Sequence, residues 1–347
     1  MPQTENNHTA NHPAGQGEQD STELEQHNGT HQHPTAPPQA CTPHPNRVAK
    51  ATITIATLNI NGFVAPSHNM SRIEKWSTIH RTMSNEKIAI LATQETHLDR
   101  ELLDQVIQCY GKCLTIITSL DATSPRASAE VAFVINKRLI KPNNITVFEL
   151  VKGCALGLKI KWHDTEVTTL LNIYAPNSKT AQPEFWRTIE LRKKLYKLRN
   201  PDFMLGDFNV MEDAIDHSPP HLDDPNTISA IRETRHQWGL QDTWRHAHPN
   251  YKVFTYRAIS NNHPIKSRLD RIYTTPRIAQ RSFNWKHTAT PVPTDHWLTL
   301  VKFAPFDAPY IGNGRWTWST ASLKNRTLTQ AVIRRGIKLQ TDIENTT

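Results

Sequence analysis

The stretch "PDFMLGDFNV", Pro201 to Val210, runs apolar and small residues into Asp207, then Phe208 and Asn209. In a strand, residues i and i+2 share a face, so the spacing predicts that Asp207 and Asn209 point together. Phe208 is expected to point the other way and anchor the strand in the core. Two polar groups on one side of a strand's end are expensive in a core and useful in a site.

The same pattern recurs along the chain. "TITIATLNI" alternates β-branched and apolar residues and reads as a strand ending at Asn59. "SRIEKWSTIHRTMSNE" has Ser71 as an N-cap and Ile73, Trp76, Ile79 and Met83 at helical spacing. "KIAILATQET" is a strand, and "RELLDQVIQCYG" is a helix closed by Gly111. Strands "LTIIT", "EVAFVIN", "ITVFELV", "ALGLKIKW" and "EVTTLLNIYAP" follow. The helix "PEFWRTIELRKKLYKLRN" precedes the opening stretch, and "NTISAIRETRHQWG" follows it. Further strands are expected near "KVFTYRA", "SRLDRIYT" and "DHWLTLVKF". Many strands with interspersed helices predict an α/β fold, two packed mixed sheets flanked by helices.

Composition narrows the function classes. The chain has 347 residues, 37% of them apolar, and a formal charge of +8. No apolar run approaches the ~20 residues of a membrane span. The N-terminus, "MPQTENNHTANHP", has neither the basic nor the apolar region of a secretory signal. Residues 1–48 are a polar tract expected to be a disordered tail, because they bury too little apolar surface to offset ordering entropy. That tract carries a net charge of −4, leaving +12 on the remainder. A basic body suggests a polyanionic partner, nucleic acid foremost. Cys41, Cys109, Cys113 and Cys154 read as reduced thiols inside a cell. The folded domain is expected over 49–305, with 306–347 a linker and basic helix leading toward a further domain.

The polar strand ends are Asn59 and Asn61, Gln94 and Glu95, Tyr174 and Asn177, Asp207 and Asn209, Ser267 and Asp270, then Asp295 and His296. One such end is usually a turn or a cap. Six of them in a sandwich converge on one edge and assemble a pocket of carboxylates and amides with one histidine. Carboxylate and amide oxygens suit hard Mg²⁺, which keeps waters and accepts phosphate oxygens. A histidine beside a carboxylate is held in one tautomer and can stabilise negative charge. The pocket therefore suits hydrolysis of a phosphate ester.

"LNINGF", "QETHL", "NIYAPN", "GDFN", "SRLDRI" and "TDHW", in that order, resemble the endonuclease/exonuclease/phosphatase superfamily over about residues 51–304. The resemblance implies a DNase I-like four-layer α/β sandwich. It implies that Asn59 and Glu95 face a Mg²⁺ ion (Mn²⁺ being the alternative), with Glu95 the main ligand. Asp295 then sits by the metal or braces its ligands. Tyr174 and Asn177 contact the scissile phosphate, Asp207 activates water, and Asn209 helps position it. Asp270 braces His296, which stabilises the pentavalent phosphate, while Asn61, Thr255 and Ser267 match secondary positions that contact phosphate or DNA.

Within the superfamily, "DTWRHAHPNYKVFTYRA" and "GDFNVMEDAIDHSPPHLDDP" are similar to endonuclease domains of non-LTR, fungal-like retrotransposons. The resemblance thus implies a DNA-nicking endonuclease that acts as a monomer inside the cell, in the nucleus, without a small-molecule cofactor. An abasic-site repair endonuclease and a decayed, DNA-binding domain are the alternatives. Abasic-site enzymes usually place an aromatic before "RLD", where this chain has Ser267. One departure stands out: Glu130 occupies a strand position where the family usually has glycine. It is either a harmless surface residue or a charge that strains the strand and repels phosphate.

Overall fold

In the computed structural model the described residues are 49–62, 71–119, 129–141, 145–162, 166–260, 262–306, 308–311 and 325–345. The expected N-terminal tail, residues 1–48, lies outside them, as does most of the linker after residue 311. In chain order the first elements are β1 (Ala49–Lys50), β2 (Ile53–Asn59), α1 (Arg72–Asn85), β3 (Ile88–Leu98) and α2 (Arg100–Tyr110). Next come β4 (Leu114–Thr118), β5 (Ala129–Asn136), β6 (Ile145–Val151), β7 (Ala155–Lys161) and β8 (Val167–Tyr174). The middle of the chain forms α3 (Gln182–Leu195), β9 (Phe203–Asp207), β10 (His217–Ser218), α4 (Pro225–Trp238) and α5 (Thr243–Ala247). The last part forms β11 (Tyr256–Ser260), β12 (His263–Ser267), β13 (Asp270–Thr274), α6 (Pro276–Ala279) and β14 (Ser282–Thr288). It closes with β15 (Leu298–Phe303), β16 (Tyr310–Ile311) and α7 (Arg326–Glu344).

Two large mixed sheets dominate: one ordered β14-β15-β2-β3-β5-β4, the other β13-β9-β8-β7-β6. Strand alternation decides what each face meets. In β2, Ile53 and Ile55 turn inward while Ala56 and Leu58 turn out; in β9, Phe203 and Leu205 turn inward while Met204 turns out. The inward set, with Phe133, Leu158, Leu170, Ile272 and Phe303, packs the two sheets together. Outside the first sheet, Trp76, Ile79, Met83 and Val106 of α1 and α2 cover Leu58, Leu91 and Leu300. Outside the second, Phe185, Trp186 and Ile189 of α3 and Ile228, Ile231 and Trp238 of α4 cover Leu171, Met204 and Tyr273. The result is the four-layer DNase I-like sandwich.

Local signals set the helix ends. Ser71 and Glu74 form a reciprocal capping box at the start of α1. Asp99 and Asp224 cap α2 and α4 through the backbone N–H groups of Leu102 and Thr227. Gly239 ends α4 at φ 65°, whereas Gly111 ends α2 in an ordinary right-handed conformation. A small sheet, β10-β12-β11, stands beside the sandwich, and β1 pairs with β16. No described helix is long and apolar enough to cross a membrane.

Candidate active site

Sheet register gathers the polar strand ends. Tyr174 of β8 is the partner of Asp207 in β9, and Asp270 of β13 pairs with Asp207 on the other side. In the facing sheet, Asn59 of β2 pairs with Gln94 of β3. By strand parity Asn59, Asp207 and Asp270 all fall on the inner faces. Asn59 joins the sheets: its Nδ2 donates to Asp207 Oδ2 at 2.9 Å and to Glu95 Oε1 at 2.9 Å. The Tyr174 hydroxyl donates to the same Glu95 Oε1 at 2.9 Å. Asn59 Oδ1 accepts the Asn61 N–H at 3.0 Å, so this side chain is a clamp between two carboxylates with little capacity to spare.

The expected face-sharing of Asp207 and Asn209 does not occur. β9 ends at Asp207, and Asn209 adopts φ 47°. Its backbone N–H instead returns to Asp207 Oδ1 at 3.0 Å, and its Nδ2 donates to the Ala175 carbonyl at 2.8 Å. Asn209 therefore orients Asp207. Phe208 does turn the other way, but into the layer outside the sheet. There it stacks on Trp186 at 6.1 Å and meets Tyr273 edge-on at 4.8 Å. Asn61 and Glu95 also have positive φ, 43° and 48°. Left-handed backbone at non-glycine residues costs energy and concentrates where the surroundings enforce it. At Glu95 it coincides with a register irregularity between Gln94 and Leu98 that breaks the alternation of β3.

His296 follows Thr294 and Asp295 just before β15. Its Nδ1 lies 2.8 Å from Asp270 Oδ2, and its Nε2 lies 3.9 Å from Asp207 Oδ2. All three residues are buried. Burial disfavours the imidazolium, but the charge and hydrogen bond of Asp270, with Asp207 behind them, outweigh it and push His296 up to about 10. Burial, then the charge of Asp270, pushes Asp207 up to about 6 against the opposing pull of His296 and Asn59. The pair thus holds a proton on the histidine next to a carboxylate near neutrality.

The other expected residues divide in two. Asp295 is exposed and accepts the Asn61 amide at 3.5 Å, so both reach the same rim. Asn177 is exposed on the loop after β8. Thr255 and Ser267 are buried behind the site. The Thr255 hydroxyl accepts the N–H groups of Leu269 and Asp270 at 3.1 and 3.0 Å, which sets the entry to β13. Ser267 ends β12 opposite Tyr256, whose ring sits 4.9 Å from that of His296. Glu130 falls in β5, with its side chain outside the described residues. Lys75 was not legible as a site residue, being one position from the apolar stripe of α1. It is buried, and its Nζ donates to the Asn61 carbonyl. Burial lowers its ammonium to about 8 even though Asp295 and Glu95 pull upward.

Behind Asp270, Arg268 and Arg271 turn away from the pocket into a buried ion cluster. Arg268 makes two bonds to Asp216, at 2.9 and 2.8 Å, and one to Asp242 at 2.6 Å. Arg271 reaches Asp216 at 3.2 Å and the Val210 carbonyl at 2.8 Å, and Arg245 also pairs with Asp216. This cluster ties the loop after Asn209 to β13, fixing Asp207 against Asp270.

Two sets of side chains present possible metal donors. Asp207, Asp270 and His296 place donor atoms within 4.8 Å of one another. That trio fits a metal poorly, because a histidine holding its proton has no lone pair to give and Asp270 is engaged with it. Glu95 fits better. Its Oε1 takes two hydrogen bonds, while Oε2 has no protein donor among the described residues. With Asp295 nearby on the rim, the donors are hard oxygens of the kind that bind Mg²⁺ or Mn²⁺.

Comparisons with known proteins agree with this architecture. Over 142 residues the chain is 27% identical to the "Transposon TX1 uncharacterized 149 kDa protein" of Xenopus laevis, a match covering 41% of this chain and 11% of that protein. The chain therefore spans about a ninth of that relative. Its fold is similar to the endonuclease domain of TRAS1, a telomere-specific non-LTR retrotransposon, with TM-score 0.52 and 14% identity over 73% of this chain and 99% of that one. It is also similar to an AP endonuclease from Archaeoglobus fulgidus, with TM-score 0.56 and 18% identity over 73% of this chain and 100% of that one. The sequence pattern of the Endonuclease/Exonuclease/phosphatase family matches residues 56–296, a span that contains every strand end described above and closes on His296 itself. The chain belongs to the endonuclease/exonuclease/phosphatase family.

Proposed function

We propose that the chain is a Mg²⁺-dependent endonuclease that nicks DNA by hydrolysing a phosphodiester bond, as a retrotransposon-type enzyme. The observation that carries this reading is the line Asp207–His296–Asp270, joined to Glu95 by the Asn59 clamp. Asp207, raised to about 6, is placed to take a proton from water near neutral pH. Asn209 holds its Oδ1. His296, kept protonated by Asp270, presents Nε2–H to the charge that develops on a phosphate oxygen. Glu95, with Asp295 beside it, would hold Mg²⁺, which when bound supplies positive charge to that phosphate. Tyr174 fixes the Glu95 carboxylate through its hydroxyl. On the rim, Asn177 and Asn61 are available to the DNA backbone.

The transposon protein and the TRAS1 endonuclease domain, as named, support DNA as the substrate and a retrotransposon role, and with it a nuclear site of action. The basic charge of the chain beyond residue 48 supports the same substrate. The test is supercoiled plasmid with purified protein and Mg²⁺. Open circles should form and vanish with EDTA, and Asp207→Ala and His296→Ala should each slow nicking by at least ~100-fold. An untouched plasmid, or variants that nick like the parent, would overturn the reading. An abasic duplex in a parallel reaction separates repair from nicking of intact DNA, since a repair enzyme prefers it.

A further inference from the structure

A cleft of about 480 Å³ opens between the edge strand β14 and the segment joining α5 to β11. Its size falls within the ~300–1,000 Å³ typical of small-ligand sites. Two of its lining residues, Trp297 and Arg257, directly follow His296 and Tyr256 in the chain. The walls are aromatic, with Trp244, Tyr251, Trp285 and Trp297 prominent, and Lys252 and Arg257 bring positive charge. The Arg257 guanidinium lies 4.5 Å from the centre of the Trp297 ring. Neither cation forms an ion pair among the described residues, and no carboxylate lines the cleft.

His287 braces one aromatic wall. Its Nδ1 shares a hydrogen bond with the Thr299 hydroxyl at 3.0 Å, and its ring meets Trp244 edge-on at 4.8 Å. Burial, then the charge of Arg268, pushes the ring down to about 3, so it adds no charge to that wall at physiological pH.

Flat aromatic walls and unpaired cations are the chemistry that receives a nucleotide whose base is out of the duplex. A base stacked inside duplex DNA has no free face to offer. We propose that this cleft takes an unpaired base of single-stranded DNA, stacked on its aromatic walls with the flanking phosphates against Lys252 and Arg257. This binding does not rest on the nuclease reading.

The test uses the full chain in EDTA, with tryptophan fluorescence as the readout. A short oligodeoxythymidylate is titrated against an abasic oligomer of the same length, which keeps the phosphates and lacks the bases. The base-bearing strand should quench fluorescence and bind about 5- to 150-fold more tightly, the value of stacking one base at ~1–3 kcal/mol. Trp285→Ala and Tyr251→Ala should each shrink that preference several-fold. Tyr251 is 63% exposed, so its replacement keeps the test decisive if Trp285→Ala fails to fold. Equal binding of the two oligomers, or full preference in Tyr251→Ala, would overturn the proposal. Plasmid nicking by the parent protein reports separately on the hydrolase, so either reading can fail alone.

Discussion

At the scale of single residues, the site is a set of protons placed by burial and by neighbouring charge. His296 is the clearest case, because its folded-state value of about 10 lies above the ordinary histidine value near 6.5. Between those values the folded protein binds a proton that the unfolded chain releases. The stabilisation is therefore complete below about 6.5 and is lost as pH rises through 10. In metal-free buffer the melting temperature of the parent should exceed that of His296→Gln by more at pH 6 than at pH 10. The expected change in that difference is at least about 2–4 °C, equivalent to ~1 kcal/mol for a domain of this size. A difference that stays flat across the range would mean Asp270 does not hold the proton. Asp207, also raised, shifts stability in the same direction but in the acidic window between about 4 and 6, so the two are separable.

At the scale of elements, the step before Asp207 is as constrained as the carboxylate. Gly206 has φ 145°, and a Cβ built on it would meet the Ile173 carbonyl oxygen at 1.9 Å in the neighbouring strand β8. A side chain here must push β8 and β9 apart at the pair that aligns Tyr174 with Asp207. Gly206→Ala should cost about 1–3 kcal/mol in urea unfolding and reduce nicking far more than that loss of stability explains. Normal nicking would show that the two strands are free to shift. The opening motif made Asp207 and Phe208 legible, since period-two alternation sends one inward and the other outward. Asn209 was legible as a site residue but its orientation was not, because its left-handed backbone is enforced by bonds to Asp207 and Ala175 that only the folded chain provides. The long strands and helices carried their own periodicity and caps. By contrast α5 and α6 are too short to show a period, and β14 is an edge strand that leaves Phe283 exposed and has an irregular register. Lys75 was hidden for another reason: a lysine in an amphipathic helix ordinarily faces water, and only tertiary contact with Asn61 reveals it.

At the scale of the whole molecule, charge and shape are distributed differently. The sandwich buries the charges of Asp207, Asp270 and His296, whereas α7 buries nothing: it carries Arg326, Arg334, Arg335 and Lys338, with Leu328, Val332, Ile333 and Ile337 exposed between them. A helix without a buried face contributes little to the stability of the domain. Its cations are free to act on a polyanion at long range. Removing residues 325–347 should therefore leave the melting temperature within about 1 °C while weakening binding to duplex DNA. Binding is best followed in a His296→Ala background with EDTA, so that the substrate survives. Every α7 cation that touches a phosphate steepens the fall of log K with log salt by about 0.9 in the parent, and the truncated chain should be shallower by that amount. An identical slope would confine DNA contact to the sandwich. A melting temperature that drops by several degrees would instead reveal that α7 packs on the domain and that its apolar side chains have a partner in solution.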